Sequence, residues 1–151
     1  MKLSKHFTLD EMTRSRTAEL RNILNVPNDE QIENLTDLCI YVLDPIRDAA
    51  GRPVMITSGY RSNLLNKAVG GSRTSQHPEG KAADIQVKGI KTEQLFRFIL
   101  ALGIEFDQCI QEFDTWIHIS FNKGNNRGQA LRAVKNKLNQ TVFIPVRYGN
   151  K

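Results

Sequence analysis

No stretch of this 151-residue chain comes near the ~18 apolar residues that a membrane-crossing helix needs, so no membrane span is expected. The opening MKLSKHFTLDEM carries two lysines but no apolar core and no small-residue cleavage site. No secretory signal is expected there, and the protein is expected in the cytoplasm as synthesised. If its target lies beyond the membrane, another route must release it. Cysteine is scarce too. Cys39 and Cys109 each stand alone in an apolar segment with no C-x-x-C partner, which argues against a cysteine-based zinc knuckle. Buried free thiols in a reducing compartment are expected, with a disulfide between them as the alternative. Internal repeats, low-complexity tracts and composition breaks are missing, so one domain over residues 1–151 is expected, as a monomer.

The charges do not balance. Lysine and arginine number 21 against 16 acidic residues, a net charge of +5. Such a surplus favours polyanionic surroundings: nucleic acid, anionic membrane or an acidic cell-wall polymer. The basic residues are dispersed, and only RAVKNK with Arg127 and Arg147 makes the tail visibly positive. No interleaved aromatic platform or known nucleic-acid motif accompanies them, so no nucleic-acid partner is expected.

What is present is periodic. Thr8 with Glu11 forms a capping-box pattern that opens a short helix ending near Thr13, and a second short helix is expected from Thr17 to Leu24. Ile32, Leu35, Leu38, Cys39, Val42 and Ile46 recur at helical spacing, with Asn28 able to cap the start and Gly51 the end. Pro45 should kink that helix or disturb its last turns. PVMITSGY reads as a strand, Arg61 to Arg73 as a loop with room for one helical turn, and AADIQV as a second strand. A helix follows from near Thr92. FDQCIQEF and WIHISF read as a strand pair across a tight turn, and TVFIPVRY as a late strand. After NKGNNRGQA no element is assigned before that last strand. The fold class expected is α+β, a small, mostly antiparallel sheet with flanking helices.

Three histidines occur, and one lies in SQHPEGKAAD, residues 75–84. Along the two middle strands the alternation sends Ile85 and Val87, and Ile117 and Ile119, to the core. Asp84 and His118 then face the other way. His77 precedes Asp84 by a turn containing Pro78 and Gly80, long enough to fold back to the same point. Two imidazoles and a carboxylate form a common catalytic zinc set. The plainer reading keeps His77 as a polar loop residue and His118 as a satisfied sheet histidine, and spacing alone does not choose.

The decapeptide resembles the S-x-H-x-x-G-x-A-x-D pattern of the M15 peptidases, the zinc D-Ala-D-Ala carboxypeptidases and L-alanyl-D-glutamate endopeptidases. Ser75, His77, Gly80, Ala82 and Asp84 match it, and the family's downstream histidine is matched by His118 in WIHIS. SGYRS at 58–62, LN at 65–66, GGS at 70–72 and HFTLDEM are also similar, the last to a compact branch found in phages and prophages. The resemblance runs from residue 6 to about 128. It implies one zinc ion held by His77, Asp84 and His118, and a fold like the hedgehog signalling domain. It also implies peptidoglycan stem peptides as substrate, with Arg61 beside the substrate's carbonyl or carboxylate. Ser75 goes with Arg61 on the substrate side, as a residue that fixes the loop or makes an outer contact, not as a nucleophile. A phage lysis enzyme fits the absence of a signal.

One position departs from the family. Many relatives carry a glutamate three residues before the last histidine, where this chain has Thr115. Glu112 and Asp114 are the candidates to move the proton. A three-residue hairpin loop would set Glu112 opposite Trp116, on the face of His118, whereas a two-residue turn would bury a bare carboxylate on the core side. Glu112 is therefore expected to be the base, with Asp114 in reserve. Glu79 is expected to be exposed, and Trp116 either lines the pocket or packs beside the sheet. His6 is expected at the surface without a partner. The alternative function is a zinc-binding interaction domain without catalysis.

Overall fold

A computed structural model describes residues 1–149. Two short helices open the chain, α1 (Leu9–Thr13) and α2 (Arg16–Arg21). The Thr8–Glu11 capping box is present as expected. The second helix stops short of the expected Leu24, because Asn22 turns left-handed at φ 55° and closes it. Next come α3 (Asp29–Leu38) and α4 (Asp44–Ala50), joined by a π-helical turn over Cys39–Leu43. Pro45 explains that turn. It has no N–H to give, and the backbone widens ahead of it so that the Asp44 N–H reaches back to the Cys39 carbonyl.

β1 (Val54–Ser58) follows, then α5 (Asn63–Ala68), longer than the single turn expected and capped by the Ser62 hydroxyl. The remaining elements are β2 (Ala82–Val87), α6 (Thr92–Ala101), β3 (Gln108–Glu112), β4 (Trp116–Ser120), β5 (Gln129–Lys135) and β6 (Thr141–Val146). They form one six-stranded sheet in the order β1-β2-β4-β3-β5-β6. All neighbours are antiparallel except β3 and β5. This is the expected α+β architecture. Strand β5 was not expected: QALRAVK is rich in alanine and charge, which carry little strand preference.

One face of the sheet is packed. Ala83, Ile85, Val87, Ile117 and Ile119 join Leu35, Leu38, Val42, Ile46, Leu95, Phe96 and Ile99 in a single buried core. Burying a side chain of this size contributes about 1.5–3 kcal/mol, so this interface is what holds the strands in register. Both cysteines are buried and free. The other face is left open and carries a cleft of about 1130 Å³. No helix among the described residues is long and apolar enough to cross a membrane.

Candidate metal centre

His77 is held from three sides. It begins a 3₁₀ turn over His77–Glu79 that ends at Gly80 with φ 76°. A Cβ on Gly80 would run into the Gln31 carbonyl, so both conformation and space require glycine there. From α3, Gln31 Nε2 donates to the Pro78 carbonyl at 3.0 Å and Asn34 Nδ2 to the Glu79 carbonyl at 2.9 Å. Ser75 Oγ accepts the His77 N–H at 3.2 Å. The ring itself lies 2.7 Å from the Gly59 carbonyl through Nδ1. A carbonyl only accepts, so Nδ1 carries the proton. Gly59 is in turn pressed against the Met12 carbonyl of α1, where no side chain would fit. The N-terminal helix thus braces the imidazole through one backbone group.

That arrangement turns Nε2 of His77 inward, where it is buried with no hydrogen-bond partner. Burial also lowers its pKa, which keeps the ring neutral at pH 7 and leaves a lone pair on that atom. Facing it at 3.3 Å is Asp84 Oδ1. The same oxygen lies 3.2 Å from His118 Nδ1. Antiparallel pairing of β2 with β4 sets Asp84 directly across from His118, both on the face that the alternation gave them. Burial alone would raise the Asp84 carboxyl, but its contact with His118 holds it well below the usual carboxylate range.

One donor atom from each of His77, Asp84 and His118 falls within a group no wider than 4.8 Å. Tetrahedral ligands at ordinary zinc distances stand about 3.3 Å apart. Two edges of this triangle, 3.3 and 3.2 Å, match that spacing. An ionised oxygen beside a lone pair is repulsive unless a cation lies between them. The backbone bond that fixes the His77 tautomer is the support that metal-binding histidines ordinarily have. These residues fit a divalent metal.

Glu112 stands beside the triangle. The β3–β4 hairpin has three loop residues, so Glu112 pairs with Trp116 and shares the face of His118. Its Oε1 lies 3.8 Å from His118 Nδ1. Burial and then the charge of Asp84 raise its pKa above the ordinary glutamate value. Asp114 goes elsewhere: it is exposed in the turn and receives Gln111 Nε2 at 3.4 Å, on the helix-packed side of the sheet. Glu79 is exposed and 3.8 Å from Lys81. Trp116 lines the cleft.

Arg61 approaches from the opposite wall, with Nη2 3.7 Å from Asp84 Oδ2. Its Nη1 donates to Asn66 Oδ1 at 3.2 Å, while its Nε is buried with no partner. A guanidinium so held keeps donors to offer a ligand. Asn66 has no role assigned from the sequence, yet it is buried, and its Nδ2 ties the Ser72 carbonyl at 3.0 Å. Asp107 is also unassigned from sequence. It is buried and bridges Gln76, the neighbour of His77, to Arg127 at 2.8 Å each. Arg61 and Asn66 lie five positions apart, too ordinary a spacing to stand out. His6 departs from expectation: it is part-buried and its Nε2 meets Asp48 Oδ1 at 2.7 Å, which the 42-residue separation hid from pattern reading.

Comparison with known families adds a match. The family described as Peptidase M15 matches residues 5–120, well over half of the chain, with His77, Asp84, His118 and Glu112 inside the matched span. No curated protein matches the chain. The chain belongs to the M15 peptidases.

Proposed function

We propose that this M15 peptidase hydrolyses peptidoglycan stem-peptide bonds that involve D-amino acids, with zinc held by His77, Asp84 and His118. The observation that carries the reading is the buried, unpartnered Nε2 of His77, aimed at an ionised Asp84 beside His118. When bound there, zinc would supply Lewis acidity and a water ionisable near neutral pH. The chain's own groups do the rest. Glu112, raised in pKa and facing the triangle, takes a proton from the attacking water and hands it to the leaving amine. Arg61 orients the substrate's carbonyl or carboxylate with the donors that Asn66 leaves free. Ser75 holds the His77 loop. The bond cut is either terminal D-Ala-D-Ala or internal L-Ala-D-Glu. In this reading the protein works as a single-domain monomer, released to the cell wall as a phage-type lysis enzyme.

Mass spectrometry of stem peptides incubated with the protein tests this. New fragments ending at a D-residue bond, abolished by a chelator and restored by zinc, are expected. The non-catalytic alternative draws on Thr115 standing where relatives carry glutamate. It predicts zinc binding with intact peptides.

A further inference from the structure

The cleft extends past the metal triangle. β5 and β6 widen its floor by two strands beyond Glu112, and both lie outside the matched residues 5–120. Register sets Ile110 beside Leu131, and Ala133 beside both Glu112 and Phe143. Paired residues share a face, so this strip continues the face of His118 and Glu112. Ile110, Leu131 and Ala133 form a small apolar cluster of their own, separate from the main core and packed under Phe113. Phe143 stands at the rim, 53% exposed. Lys135 lies over the Phe113 ring at 5.2 Å and gives one hydrogen bond, to Thr141 Oγ1 at 2.9 Å. An ammonium has three donors, so two remain. Across the triangle the wall is polar instead, made by Arg61, Asn66 and Ser72. One continuous cleft contains the triangle, Leu131, Phe143 and Lys135.

We propose that the β5–β6 hairpin builds a peptide subsite that selects substrates running on past the scissile bond. Phe143 takes the aliphatic part of a substrate residue, backed by Ile110 and Leu131, which are each only 6% exposed, and Lys135 pairs with a carboxylate on the same chain. The occupant is the substrate peptide itself, because the strip is continuous with the triangle and ends at a cation. Alternating small apolar and acidic residues suit those two features. The inference rests on the peptidase reading above and adds to it a preference for extended over truncated peptides.

Two neighbouring residues provide the test. Phe143 faces the cleft, while Ile144, 47% exposed and paired with Arg132, faces the other side of the sheet. Synthetic stem peptides lengthened one residue at a time at either end give kcat/KM for extended and truncated substrates. Phe143→Ser should lower the extended-to-truncated ratio by about tenfold, as expected for loss of one aromatic contact. Ile144→Ser should leave the ratio within about twofold, inside the usual range of substitutions away from a contact. A ratio unchanged in Phe143→Ser, or lowered equally in both variants, overturns the subsite. Trp116 is the chain's one tryptophan and lines the cleft, so its fluorescence reports binding in chelator-treated protein. Extended peptide should bind Phe143→Ser about tenfold more weakly than wild type, and equal affinity overturns the proposal. If the wild type cuts no stem peptide, the peptidase reading fails while this titration still decides the subsite.

Discussion

His77 Nε2 and Asp84 Oδ1 face each other at 3.3 Å, a lone pair against an ionised oxygen with no proton between them. The Gly59 carbonyl causes this by holding the ring's one proton on Nδ1. A contact that repels when empty and attracts around a cation belongs to a binding site.

Glu112→Gln keeps size and removes the titrating group. Zinc content should stay as in wild type, because Glu112 is outside the donor triangle. Turnover should fall by about 10²–10⁴, the usual contribution of a positioned acid or base. Asp114→Asn should leave turnover near the wild-type value, since Asp114 is tied to Gln111 away from the cleft. Steady-state kinetics beside metal analysis checks both.

Gly80→Ala tests the loop that carries His77. The added Cβ meets the Gln31 carbonyl in a backbone held at φ 76°. A non-glycine residue forced into such a position costs about 1–3 kcal/mol. Thermal unfolding should shift down, and zinc affinity should fall with it because the imidazole is displaced.

Asn66→Ala removes the support of Arg61. Two hydrogen bonds disappear: Arg61 Nη1 loses its acceptor, and the Ser72 carbonyl is left with the Ser75 N–H alone. The stability cost should be about 1–3 kcal/mol, measured by denaturant unfolding. KM should rise more than kcat falls, and zinc content should not change.

Acid stability should depend on Asp107. Its carboxyl is buried, which alone would raise its pKa, but bonds from Arg127 bring it down to about 2. The folded value lies below the unfolded one, so the stabilisation is fully present above about pH 4 and is lost as pH falls toward 2. The drop from 3.8 to about 2 corresponds to about 2 kcal/mol. Unfolding of wild type and Asp107→Asn, compared at pH 7 and pH 2.5, should show a gap that narrows at the lower pH.

The shared face of Asp84 and His118 was legible because strand alternation is strict: placing Ile85 and Ile117 in the core leaves them no choice of side, whereas His77, in a turn, was joined to them only by the family resemblance. The place of Glu112 on the face of His118 was legible from the length of one hairpin loop. What stayed hidden depends on contacts distant in the chain. Asp107 reaches Gln76 across 31 positions, and His6 reaches Asp48 across 42. No periodicity encodes such pairs. Strand β5 was hidden for another reason: it owes its pairing to β3 and β6 more than to its own alanines and charges. The π turn before Pro45 shows the reverse case, a single residue whose missing N–H announces a local disturbance but not its form.

Metal content of the purified, zinc-supplemented protein tests the central claim most directly. The account predicts about one tightly held zinc per chain in wild type, with loss of the metal in both His77→Ala and His118→Ala while each variant stays folded by circular dichroism. A folded wild type that takes up no zinc, or histidine variants that hold it as tightly as wild type, would contradict it.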